Sequence, residues 1–132
     1  MPQAQANRNR IRDALTALTS RANVNGFVIV EHQATGKFVQ FTGSAGEPLV
    51  LDLPDQTLSE LEFYRAVAFF REFRVEVREH ELFDQPGGRV VGRLYSFNME
   101  FGSVEHAVDV TMGVFERVYL VSPEARLVIT EN

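Results

Sequence analysis

Cysteine is absent from all 132 residues, which removes disulfides, thiolate nucleophiles and Cys-based zinc sites. No stretch approaches the roughly 18 consecutive apolar residues of a membrane-spanning helix. The opening MPQAQANRNRIRD is polar and lacks the apolar run of a signal peptide. Positive charge is scarce: the formal net charge is −5, and Lys37 is the only lysine. That balance argues against a general nucleic-acid binder. Together these absences lead to the expectation of a cytoplasmic protein with neither a membrane nor a nucleic acid as partner. Core material is plentiful. The chain is 45% hydrophobic and 11% aromatic, enough for one domain, residues 1–132, to fold without covalent staples.

The charge is uneven. Residues 1–22 hold Arg8, Arg10, Arg12 and Arg21 against Asp13, a net +3 that leaves −8 for the other 110 residues. Two readings fit: a helix whose basic face docks on an acidic body, or a basic lip for an acidic ligand.

Periodicity sets out the elements. Residues 1–7 read as a frayed start. From Asn7 to Ala22, Ile11, Ala14, Leu15, Leu18 and Ala22 fall at helical spacing. GFVIVEHQ (26–33), GKFVQFTG (36–43) and PLVLDLP (48–54) are short runs rich in β-branched or aromatic residues. Loops of hairpin length, 34–36 and 44–46, join them into an antiparallel meander. Thr57 and Glu60 fit a capping box, with Ser59 and Glu62 as the alternative, for a helix from about Leu58 to Arg71 or Phe73. Strands over 74–83 and 89–101 flank a hairpin at Asp84–Gly88. A last helix spans Val104–Tyr119 with Ser103 as N-cap. Residues 121–132 remain as a tail or a short extra strand. The expectation is an α+β fold: one antiparallel five-stranded sheet, helices on one side, in the order α-β-β-β-α-β-β-α.

Catalytic patterns do not emerge. His32 and Glu31 point to opposite faces of a strand, and His80 lies in an exposed-looking one. His106 and Asp109, three apart on the last helix, can share a face. None of the three histidines has the HExxH spacing of a zinc helix. No GxSxG elbow occurs. PGGRVVGR (86–93) lacks the GK[ST] ending of a phosphate loop and falls at a hairpin. Asp52, near Asp55, sits on the outer face of a leucine-rich strand and reads as a solvated carboxylate. No catalytic, cofactor-binding or metal-binding residue is assigned, and no cofactor is expected.

The unusual feature is LSELEFYRAVAFFREF, Leu58–Phe73. At about 100° per residue, Phe63, Ala66, Val67, Phe70 and Phe73 form one broad arc that should pack on the sheet. Two further apolar clusters remain: Leu61, Tyr64 and Ala68, and Leu58 with Phe69. Sizeable exposed apolar patches are uncommon on monomers. Either the outer helices cover these clusters, or at least one meets a second copy across a twofold axis; the second is the expectation.

Element order over roughly 7–120, together with the phrase LVLDLPDQTLSELEFYRAVAFFRE, resembles the class I type III secretion chaperones and the related YbjN-like and TY-Chap bacterial families. The resemblance implies a homodimer without catalytic activity. In the chaperones the second helix and neighbouring strands make the dimer contact, while apolar grooves on the sheet and first helix hold an extended protein segment. Carried over, Leu61, Tyr64, Ala68 and Phe69 become dimer candidates alongside Leu58. Ile11, Leu15, Leu18, Phe27 and Ile29 become groove candidates. The ending RLVITEN departs from that pattern and could fill such a groove in its own chain. Two other functions stay open: a small-molecule-binding protein or enzyme of the α+β roll type, with Tyr95–Phe101 lining a pocket, and an immunity or adaptor protein meeting a basic partner.

Overall fold

The computed structural model describes residues 2–22, 25–83, 85 and 87–132, and for residues 80–83 and 91–94 the backbone alone. The first helix, α1, runs Pro2–Ser20, so it begins before Asn7. Residues 2–7, expected to fray, are held from outside the helix. The Ala4 amide donates to the Glu124 carboxylate (3.2 Å), and Asn7 Nδ2 donates to the carbonyls of Pro123 and Ala125 at 3.1 and 2.8 Å. Asn7 falls on the same stripe as Ile11, Ala14, Leu15 and Leu18, and all five are buried. A polar residue in the stripe is tolerated because its amide is satisfied.

The three short apolar runs become β1 (Phe27–His32), β2 (Lys37–Thr42) and β3 (Leu49–Pro54), an antiparallel meander as expected. Gly36 and Gly46 take positive φ of 74° and 82° in the two turns, which glycine adopts without a Cβ clash. A 3-10 turn at Asp55–Thr57 leads into α2, Glu60–Arg71. The capping box is Ser59 with Glu62, not Thr57 with Glu60. Thr57 is already engaged, donating its hydroxyl to the Pro54 carbonyl at 2.8 Å.

The end of α2 is a Schellman motif. The Arg74 amide bonds the Arg71 carbonyl and the Val75 amide bonds the Phe70 carbonyl, at 3.0 and 3.1 Å. Arg74 occupies the left-handed position with φ 61°. Glycine is the usual residue there, and a side chain costs roughly 1 kcal/mol. The cap delays the next strand, β4, to Val77–Phe83, three residues past the expected start. β5 spans Val90–Phe101 and pairs antiparallel with β4. Of the hairpin between them, Asp84 and Pro86 lie outside the described residues. α3 covers Val104–Gly113 with Ser103 as its N-cap, then widens into a π-helical turn over Val114–Val118. The ending forms a sixth strand, β6 (Leu127–Glu131), antiparallel to β1.

The sheet therefore has six strands rather than five, in the spatial order β4-β5-β3-β2-β1-β6. RLVITEN fills no groove; it extends the sheet at the β1 edge, where Arg10 also donates to the Leu127 carbonyl (2.8 Å). Val28, Val30, Val39, Phe41, Leu51, Leu53 and Phe97 are essentially fully buried and lie on one face of the sheet. They share one core with Ile11, Leu15 and Leu18 of α1, Phe70 of α2 and Val108 of α3. Phe27, Ile29, Phe38 and Val50 alternate onto the other face and are half-buried. No helix among the described residues is long and apolar enough to cross a membrane.

Candidate interaction surface

The α2 sequence distributes its apolar residues over three directions, and each has a different fate. The broad arc packs on the sheet. Phe70 stacks on Phe97 with ring centroids 4.9 Å apart, and Phe63 meets Phe97 at 5.8 Å and Tyr95 at 6.4 Å. Ala66 and Phe70 are fully buried.

The cluster of Leu58 and Phe69 is covered by the same chain. Phe69 is 3% exposed. It meets Phe70 and Phe73 edge-on at 5.2 and 5.3 Å, and the Arg117 guanidinium lies 5.0 Å from its ring centre. Arg117 is fixed in turn by two hydrogen bonds to Glu72, at 2.7 and 2.8 Å. Gly113 makes the approach possible: a Cβ there would sit 2.7 Å from the Phe69 ring. Arg65 Nε donates to the Val118 carbonyl (2.8 Å), tying α2 to the π-helical turn. Leu58 packs partly buried against the core.

The third cluster is uncovered. Leu61 is 68% and Tyr64 61% exposed, and Ala68 is exposed beside them at helical spacing. A second exposed apolar residue belongs to the neighbouring turn. Leu120, two residues past Val118, is 66% exposed and adopts φ 56°. Positive φ is strained for a branched side chain, and an exposed leucine gains nothing from the core.

The groove candidates separate. Ile11, Leu15 and Leu18 are fully buried between α1 and the sheet. Phe27 and Ile29 alternate with buried Val28 and Val30 and face the opposite side. The five residues line no common groove. Sequence spacing gives the periodicity of each element but not which face of the strand meets the helix.

A polar cluster, of which only the Ser59–Glu62 capping box is signalled by sequence, sits beside α2. Glu62 is 6% exposed. Its Oε1 accepts from Lys37 Nζ and from the Ser59 amide, both at 2.8 Å. Burial alone would raise the Glu62 carboxyl, but the Lys37 ammonium and the Ser59 amide outweigh it and hold the group below its ordinary value. Tyr119 closes the cluster, donating its hydroxyl to the Phe38 carbonyl at 2.5 Å. Burial, reinforced by the Glu62 charge, pushes the Tyr119 phenol far upward. Both groups therefore stay in fixed protonation states near neutral pH, so the cluster acts as a clamp between β2, α2 and the end of α3.

The other titratable candidates are scattered. Asp52 accepts from Asn98 Nδ2 (2.7 Å) on the outer sheet face, half-buried rather than freely solvated. His32 Nδ1 meets the Thr35 hydroxyl (2.8 Å) within its own turn. His106 does not pair with Asp109; its ring packs on Phe73 and Phe101, while Asp109 takes Arg8. The side chain of His80 lies outside the described residues. Among the described residues no cluster of three His, Asp or Glu side chains could hold a metal ion. The basic face of α1 docks on acids of α3, through Arg8–Asp109 and Arg12–Glu105, which favours the docked helix over the free basic lip.

No family model, no curated protein and no solved structure matches this chain.

Proposed function

We propose that the protein is a non-catalytic, self-associating binding module of the chaperone-like or regulatory kind, paired through the Leu61–Tyr64–Ala68 face of α2. The observation that carries the reading is the exposure of Leu61 (68%) and Tyr64 (61%) one turn apart on a helix whose other apolar faces are covered. A twofold axis presents the same patch from both sides, so one face serves both copies. Antiparallel pairing of two α2 helices about Tyr64 sets Leu61 of one chain against Ala68 of the other, large against small. Leu120, on the turn after α3 that packs against α2, is exposed as well, and its strained backbone gives the isolated chain no stability. The half-buried apolar residues of the open sheet face, Phe27, Ile29, Phe38 and Val50, are the surface we assign to a protein segment. The resemblance to type III secretion chaperones supports this reading only through element order.

The double variant Leu61→Asp/Tyr64→Asp tests the assignment by sedimentation across a concentration series. A shift to monomer with unchanged far-ultraviolet circular dichroism is expected. A variant that sediments as the parent does would remove α2 as the contact.

A further inference from the structure

We propose that an open cavity beside the C-terminal end of α2 is a binding site for a small amphiphilic monoanion, an acyl or aryl carboxylate. The cavity measures about 500 Å³ and is lined by Val67, Arg71, Arg74, Val75, Glu76, Val77 and Phe97. That volume falls within the range of small-molecule pockets. Its floor is apolar: Val67, Val75 and Val77 with the Phe97 ring. Among the described residues its rim carries two guanidiniums and one carboxylate, a balance that suits a single carboxylate better than a dianionic phosphate.

Two observations leave the arginines available to a ligand. Neither the Arg71 nor the Arg74 guanidinium has a hydrogen-bond or ion-pair partner among the described residues. Arg8, Arg12 and Arg117 are paired with acids and Arg10 and Arg65 with backbone carbonyls, whereas the buried Arg21 Nε and Nη2 and the exposed Arg78 and Arg126 are unpartnered among the described residues as well. The fork of a free guanidinium matches the two oxygens of a carboxylate. Second, Arg74 holds the left-handed cap position, φ 61°, where stability favours glycine. We read the side chain retained at that position as serving a ligand. The cap also fixes the backbone, since the Arg74 and Val75 amides bond α2 carbonyls, and both residues line the cavity.

This inference is independent of self-association, because Leu61 and Tyr64 do not line the cavity. Sodium decanoate is the probe, with decanol as its uncharged counterpart, titrated calorimetrically into the full chain. Saturable decanoate binding, with decanol at least tenfold weaker, is expected. Arg74→Gly should melt at the same or a higher temperature without ligand and lose decanoate affinity at least tenfold; Arg71→Gln should lose a similar factor. Val67→Phe, which fills the floor, should weaken both probes. Equal affinity for decanoate and decanol, or Arg74→Gly binding decanoate as the parent does, would overturn the site. So would the absence of saturable binding.

Discussion

Glu62, which the sequence offers only as a helix-capping residue, does more than cap the helix in the fold. It serves as the third residue of the α2 capping box, the acceptor for Lys37 and a neighbour of Tyr119. Its carboxyl is held below the ordinary 4.5, so the stability it adds is present above that value. It is lost as pH falls through the lower folded value. Glu62→Gln should therefore cost roughly 1–2 kcal/mol at pH 7, with the gap to the parent closing in strongly acidic buffer. Urea titrations at the two pH values measure this, and a gap that stays constant would show that the charge is not the cause. The sequence supplied Ser59 and Glu62 as one of two possible boxes. The choice between them came from Thr57, whose hydroxyl the preceding turn consumes. Lys37 lies 25 residues away in the chain, a contact that no local spacing encodes.

At the scale of elements, α2 was legible as three apolar directions because helical geometry alone fixes them. Which neighbour covers each was not legible. Phe69 disappears under the π-helical turn only because Gly113 leaves room for its ring. Gly113→Ala should cost a net of up to about 2 kcal/mol, since overpacking of roughly 1–3 kcal/mol is offset by a helix-propensity gain of about 1. Adding Phe69→Leu should recover part of the loss in thermal melts. An Ala variant as stable as the parent would mean that the ring has space to move. The β6 edge follows the same logic. RLVITEN reads as a tail or a short extra strand because its partner, β1, is about a hundred residues earlier, and one of its anchors is an asparagine inside a helical stripe. Asn7→Ala removes two hydrogen bonds to the carbonyls of Pro123 and Ala125 and leaves both unsatisfied. The expected cost is about 1–3 kcal/mol, with hydrogen exchange accelerated first at Leu127–Glu131 and in the opening turn of α1. Uniform acceleration across the sheet would contradict that local role.

For the whole molecule, the α+β class with one antiparallel sheet followed from the meander, the Tyr95–Phe101 alternation and the two capped helices. The sixth strand did not, for the reason just given, and neither did the separation of Ile11, Leu15 and Leu18 from Phe27 and Ile29 by the thickness of the sheet. The uneven charge resolves within the chain, as α1 arginines meet α3 acids in exposed pairs that orient the helix more than they stabilise it. Among the described residues, the large hydrophobics left exposed are Leu61 and Tyr64 on α2, Leu120 on the adjoining turn and Val90 at the start of β5. Self-association through the α2 face is tested most directly by light scattering on a sizing column at micromolar concentration. A mass of about twice 14.9 kDa is expected, falling to 14.9 kDa for Leu61→Asp/Tyr64→Asp; a parent protein that elutes with a mass of 14.9 kDa would contradict it.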